Sequence, residues 1–325
     1  MKNSHAKTML WVAVLAVVAL VTAACGGTGQ PSGAKDATSL NLKYAVITHG
    51  AAGDAFWDRV KSGAERAGKD YGVKISYSSD ADVAKQSQLI DSAVADKVDG
   101  IVVSMANPDG LKSSVEKAVA AGIPVVTINS GIDQWKQFGA ITHIGQSEDI
   151  AGAAAGDRLK QAGLTNVICV IHESGNVGLE QRCSAAAKSF GAKMTNLQVD
   201  GTDDNAVQST ITSKLQADKT IDGVLTLGGQ YAIDAVSAVQ QANSKAKVAT
   251  FDLSDDVIKD IESGSIIFAV DQQPYVQGYL GVTALYLKDI NGNDIGGGQP
   301  VYSGPAFITK DNAAQVEKFA KQGTR

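Results

Sequence analysis

The sequence predicts an α/β protein of two doubly wound lobes, each a parallel sheet covered by helices on both faces. Three observations carry this reading. From Leu40 onward, short apolar runs alternate with segments of helical period. The runs are apolar throughout, the pattern of strands buried on both faces. The order of elements also repeats. A shift of 123 residues sets His49 on His172, Arg59 on Arg182, Asp80 on Asp203, Thr127 on Thr250 and Asn129 on Asp252. Over that span strands fall on strands, KVDGIVVS on TIDGVLTL and IPVVTIN on AKVATFD.

Taken in order, the strand-like runs are YAVIT, GVKISYS, GIVVSM, IPVVTIN, VICVIH, NLQVD, GVLTL, KVATFD and IIFAVDQ. Helices are expected between them, beginning near Asp54, Val83, Asp109, Asp149, Gly178, Asp204, Gln230, Ser254 and Pro274. Asp54 and Asp109 suit N-caps, because a short carboxylate can accept from the free amides of a first turn. Pro274 suits the first helical turn, where its missing N–H is not needed.

The first 25 residues are of another kind. Lys2 and Lys7 precede an uncharged run from Met9 to Ala24, which ends at Cys25. Its 16 residues fall short of the roughly 20 that span a bilayer as a helix. A basic start, an apolar run and small residues before a cleavage point describe an export signal. The sequence TAAC resembles a lipoprotein signal, in which the cysteine becomes the acylated mature N-terminus. Residues 1–24 are thus expected to be a signal peptide, Cys25 a lipid anchor, and the Gly/Ser/Pro-rich 25–39 a flexible tether. The expected location is extracytoplasmic, on the membrane through the lipid.

Without Lys2 and Lys7 the chain carries 27 basic against 34 acidic residues, which argues against a nucleic-acid partner. Beyond Cys25, Cys169 and Cys183 remain in an oxidising compartment, either bridged or as two buried thiols. There is no HExxH, no GxSxG and no complete CxxC pair, so no catalytic residue, metal or cofactor is expected. HGAAGD lacks the lysine of a phosphate-binding loop.

Ligands of open parallel sheets sit outside the carboxyl ends of the strands. Those ends carry His49, Ser104, Asn129, Ser130, His172, Glu173, Asp252, Asp271 and Gln272. Such a rim, rich in Asn, Asp, Gln and Ser and poor in cations, suits a neutral ligand with many hydroxyl groups, each both donor and acceptor.

These residues, with the motifs GDAFWDRVKSGA, DGIVVSMANPDGL, AAGIPVVTINSG, THIG, IDGVLTLGGQYAIDA, ATFDLS and FAVDQQPYVQGY, resemble the ribose-binding protein family, the solute receptors of sugar ABC importers. The resemblance runs from about Leu40 to Phe307. It implies the type I periplasmic binding protein fold: two lobes joined by a three-stranded hinge that close on a monosaccharide. The first lobe would be 40–145 plus 274–301, and the second 146–273 plus 302–325. It implies that Phe56 and Trp57 pack on the sugar ring, with Asp54 a polar contact before them. It further implies contacts from Asn129, Ser130, Arg182, Asp252 and the hinge residues Gln146 and Gln272, with Glu173 beside them. The plainer readings are a core stripe from Phe56 through Val60, Ala64 and Ala67, a surface salt bridge for Arg182, and a helix N-cap for Asp252.

Two departures bear on the ligand. Asn129-Ser130 stands where the family has a carboxylate and an arginine. The region VDGTDDNA, with Asp203, stands where ribose receptors have an aromatic. The expected ligand is accordingly a polyol, an inositol-like ring or a differently substituted monosaccharide. The expected partners are that ligand and the permease subunits of an ABC transporter, with the receptor a monomer. A receptor presenting its ligand to a signalling partner is the alternative.

Overall fold

The computed structural model describes residues 41–325 apart from 52. The expected signal peptide, Cys25 and the tether lie outside the described residues.

The run KYAVIT forms β1 (Lys43–Thr48), buried at every position after the first, as befits a central strand covered on both faces. It is followed by α1 (Ala55–Tyr71), β2 (Lys74–Ser79), α2 (Val83–Ala95), β3 (Gly100–Ser104), α3 (Pro108–Ala120), β4 (Val125–Ile128) and β5 (Thr142–Gln146). The chain then crosses into α4 (Glu148–Gln161), β6 (Asn166–Ile171), α5 (Val177–Phe190), β7 (Lys193–Gln198), α6 (Asp204–Ala217), β8 (Gly223–Thr226), α7 (Gly229–Gln241), β9 (Lys247–Phe251), α8 (Asp255–Ser263) and β10 (Ile266–Asp271). It returns through α9 (Pro274–Asn291) to β11 (Val301–Gly304), and ends with β12 (Ala306–Ile308) and α10 (Ala313–Lys321).

Two six-stranded sheets result, in the orders β11-β5-β4-β3-β1-β2 and β12-β10-β9-β8-β6-β7. Every pairing is parallel except that of β12 with β10. Each sheet is packed on both faces by its own apolar clusters. In each, the order reverses about the first strand of the lobe, β1 or β6, so a crevice opens beyond its carboxyl end.

The internal repeat has a structural counterpart. Asp99 accepts the amide of Lys43 at 2.8 Å, while Asp222 accepts those of Thr165 and Asn166 at the equivalent corner. Asn129 and Asp252, 123 apart, follow β4 and β9 with φ of 62° and 67°. Asn and Asp are the side-chain-bearing residues that tolerate this left-handed region best.

Some local expectations are corrected. Asn107, not Asp109, caps α3, because Pro108 holds the first helical position and leaves Asp109 inside the first turn. THIGQ is a fully buried strand, β5. It is too short and too mixed in polarity for its pattern to stand out. β11 reaches Gly304, so the last crossing falls at Gly304–Pro305 and not after Val301.

Candidate functional site

The site is assembled where the carboxyl ends of the two sheets meet. On the first sheet, β1 delivers His49, whose Nδ1 lies 2.7 Å from Ser104 Oγ at the end of β3. The His49 amide donates to the same oxygen at 3.1 Å. The loop then brings Gly50 against Trp57. A Cβ at Gly50 would lie 2.2 Å from the indole, so only glycine lets the backbone rest there. Asp54 caps α1, its Oδ1 accepting the Phe56 amide at 2.8 Å. Burial raises its carboxyl above the ordinary range, against the pull of the Phe56 and Trp57 amides, and the charge of Glu173 adds to the rise. Trp57 is buried beside Val60, Ala64 and Ala67, with His49 edge-on at 4.5 Å. Phe56 remains half-buried, 4.9 Å from the indole in a T-shaped pair. The core stripe thus runs through Trp57, and Phe56 is the more available ring.

Asn129 donates from Nδ2 to Gln272 Oε1 at 3.3 Å and accepts from Ser130 Oγ at 2.9 Å. Ser130 in turn lies against the second lobe, where a Cβ on Gly178 would come within 2.9 Å of its hydroxyl. The lobes touch again where the Val177 amide donates to Ala106 O at 3.0 Å, and where Gln181 Nε2 donates to Asp133 Oδ2 at 2.7 Å.

The second lobe contributes charge. Arg182, on α5, is 3% exposed and pairs in bidentate fashion with Glu148, itself 2% exposed. The surface salt bridge expected as the plainer reading of Arg182 is therefore excluded. Its Nη2 also donates to Gln272 Oε1 at 3.3 Å, and the guanidinium lies over the Phe251 ring at 4.9 Å. Gln146 donates to Glu148 at 3.0 Å. Gln272 donates from Nε2 to Asp252 Oδ1 at 2.7 Å. Asp252 is not the cap of α8, a role taken by Ser254 through the Val257 amide. Burial lifts the Asp252 carboxyl to about 7, opposed by Arg182 and by the Gln272 hydrogen bond.

Beyond β6, Glu173 accepts from Asn176 at 2.7 Å and stands 3.9 Å from His49 Nε2. His172 stacks on Tyr231 at 4.0 Å, and burial drops its pKa to about 3, with Arg182 and His49 adding to the fall. Both imidazoles of the rim are thereby held neutral, since burial also lowers His49. Neutral imidazole can donate and accept, which matches hydroxyl groups.

The structure thus links Asn129, Ser130, Gln146, Arg182, Asp252 and Gln272 in one buried network, with Asp54, Phe56, Trp57 and Glu173 gathered around His49. Asp203 does not join them. It is exposed and caps α6 by accepting the Ala206 amide at 3.1 Å. In this part of the second lobe the ring is Tyr231, on the next helix, which stacks on His172. Sequence reasoning missed Tyr231 and Glu148. An acid at the first position of a helix reads as a favourable dipole partner, and nothing nearby in sequence links Glu148 to an arginine 34 residues on. Cys169 and Cys183 are bridged, with Cα atoms 5.9 Å apart, tying β6 to α5.

The comparisons agree with this fold. A family model described as a periplasmic binding protein domain matches residues 44–292. A carbohydrate transporter structure from Acidothermus cellulolyticus 11B, in complex with myo-inositol, is 47% identical. It superposes with a TM-score of 0.87 over 88% of this chain and 100% of that one. A xylitol-binding protein of Mycolicibacterium smegmatis is 26% identical over 93% of this chain and 85% of its own length. A ribose import binding protein of Haemophilus influenzae is 25% identical over 82% and 90%. With two doubly wound sheets meeting at their carboxyl ends, and a family match across most of both, the chain belongs to the periplasmic binding protein family.

Proposed function

We propose that the protein is the extracytoplasmic binding component of an ABC-type carbohydrate importer, and that its ligand is an inositol-like ring or a closely related polyol. The observation that carries the ligand class is the 47% identity, along the whole length of its chain, to a carbohydrate transporter protein in complex with myo-inositol. The rim agrees with it. Asn129, Ser130, Gln272 and two neutral imidazoles offer paired donors and acceptors, and Asp252 offers acceptors. The one guanidinium in the network is already engaged by Glu148, which disfavours an anionic ligand.

Capture is reversible. One lobe binds first, the hinge closes, and the second lobe completes the hydrogen bonds. Ligand favours closure only through its higher affinity for the closed form. Phe56 packs on an apolar ring face, while Asp54, Asn129, Arg182, Asp252 and Gln272 take hydroxyls. The closed pair of lobes is then presented to the permease, with Cys25 holding the protein at the membrane by its acyl chains.

A thermal-shift panel of myo-inositol, its epimers, xylitol, ribose and arabinose tests the ligand class. At a hundredfold excess over Kd, binding adds about 2.7 kcal/mol of apparent stability. The expected outcome is a shift with myo-inositol larger than with either pentose. A larger shift with ribose would overturn it.

A further inference from the structure

A concavity adjoins the candidate site. It lies on the second lobe beyond the carboxyl ends of β6 and β7, with a volume of about 550 Å³. His172 and Glu173 line it from one side, Gln198 and Asp200 from the strand end, and Thr202 and Thr210 from the α6 side. Its size alone is that of a small-molecule pocket, for which about 300–1,000 Å³ is usual. Its opening has a local cause. Asp203 turns outward to cap α6, and the loop from Asp200 to Asp203 puts no large side chain into the space.

The two sites share a wall. The Glu173 carboxylate stands between them, lining the concavity while lying 3.9 Å from His49 Nε2 in the strand-end site. His172 lines the concavity and stacks on Tyr231, whose hydroxyl donates to Gly201 O at 3.2 Å and so fixes the ring. The lining includes two carboxylates, an amide and hydroxyls, with no lysine or arginine. A phosphate or carboxylate would meet only like charge there, whereas a hydroxylated neutral ring would find acceptors in Glu173, Asp200 Oδ2 and Thr202, whose own hydroxyl donates to Asp200 Oδ1 at 2.6 Å, and both functions from Gln198 and Thr210.

We infer that this concavity is a second subsite for a neutral hydroxylated ring, so that the receptor takes a glycoside of its inositol-like ligand, one ring in the strand-end site and the other against Gln198, Asp200 and Thr202. This rests on the reading of the strand-end site given above. Calorimetry on the full chain compares myo-inositol with its α-galactoside. The glycoside is expected to bind within tenfold of free myo-inositol or more tightly. Thr202→Trp, at an exposed loop position, is expected to weaken the glycoside at least thirtyfold and to leave myo-inositol within threefold. Thr210→Trp serves as a second block from the helix side, each variant being checked for an unchanged melting temperature.

A glycoside bound more than tenfold more weakly than myo-inositol overturns the subsite alone, as does a block that weakens both ligands equally. Binding of neither compound overturns the inositol reading and the subsite with it.

Discussion

The two lobes share a backbone frame but differ in the charge placed on it. Asn129 and Asp252 occupy the same left-handed position beyond β4 and β9, one neutral and one a carboxyl. His49 and His172 end the first strand of each lobe, one bonded to Ser104 and the other stacked on Tyr231. Arg59 and Arg182 lie on matching helices. Arg59 turns to the outside, donating to Ala55 O and Arg325 O, while Arg182 is buried. The reason is the partner. α4 begins with Glu148, whereas α9, its counterpart against α1, begins with Pro274 and has no acid in its first turn. A buried ion pair survives its desolvation only when its hydrogen bonds are filled. Glu148, Gln272 and Leu227 O fill those of Arg182. In the network around Gln272, the first lobe therefore supplies the neutral Asn129 and Ser130, and the second supplies an ordered charged scaffold.

The largest expected effect comes from breaking that scaffold. Glu148→Ala leaves a buried guanidinium unpaired and should cost about 3–5 kcal/mol in urea unfolding. Arg59→Ala, at the equivalent place in the first lobe, should cost less than about 1 kcal/mol, as surface substitutions do. Adding Arg182→Met to Glu148→Ala should recover most of the stability, because the uncompensated charge is then gone. Equal losses from Glu148→Ala and Arg59→Ala would mean that the lobes do not differ in this way.

The next effect is covalent and also confined to the second lobe. Cys169 and Cys183 close a loop with a sequence separation of 14, and replacing both by Ala should cost about 3 kcal/mol for a loop of that length. Reductant should lower the melting temperature of the parent and leave that of the double variant unchanged. A parent insensitive to reductant would show that the bridge contributes nothing measurable.

What the sequence made legible follows from how far each signal reaches along the chain. Strand and helix order rests on local periodicity, so β1, β3, β6 and β9 stand out as apolar runs. The strand-end rim follows from that order, because in a parallel sheet the residue after a strand is at the crevice. Glu148 and Tyr231 were not legible by this route. The role of Glu148 depends on a partner brought near by packing of α4 on α5, and that of Tyr231 on a stack across two loops. Asp203 shows the same limit in reverse. Its sequence position is that of a wall residue, but the free amides of α6 hold its carboxylate outward.

A third comparison sets Asp252 against Asn129 through pH. Burial lifts the Asp252 carboxyl from 3.8 to about 7. Between those values the folded protein holds a proton that the unfolded chain has released, so this residue's contribution is present at low pH and lost as pH rises toward 7 and beyond. Asp252→Asn, which gives the second lobe the residue type of the first, removes that loss. Its stability relative to the parent should therefore increase from pH 4 to pH 8, read from urea midpoints. His172, held near 3 against an ordinary 6.5, acts oppositely and weakens the fold as pH falls below 6.5. Parallel profiles for parent and Asp252→Asn would show that Asp252 ionises alike in both states.

The smallest effect lies where the lobes meet rather than within either. Gln181 Nε2 donates to Asp133 Oδ2 at 2.7 Å, from α5 of the second lobe to the segment after β4 of the first. Because the bond spans the lobes, it forms only when they approach, and its free energy enters the closing equilibrium and not the folding of either sheet. It is exposed to solvent, so its net value is about 0.5–1 kcal/mol at most. Gln181→Ala should accordingly leave the melting temperature of the ligand-free protein within a degree or so, yet weaken ligand binding about two- to fivefold, the range set by that energy. The change should fall on the dissociation rate, since the bond is made after the first encounter. An unchanged dissociation rate, measured by stopped flow with the ligand found in the thermal panel, would mean that this contact does not hold the lobes together.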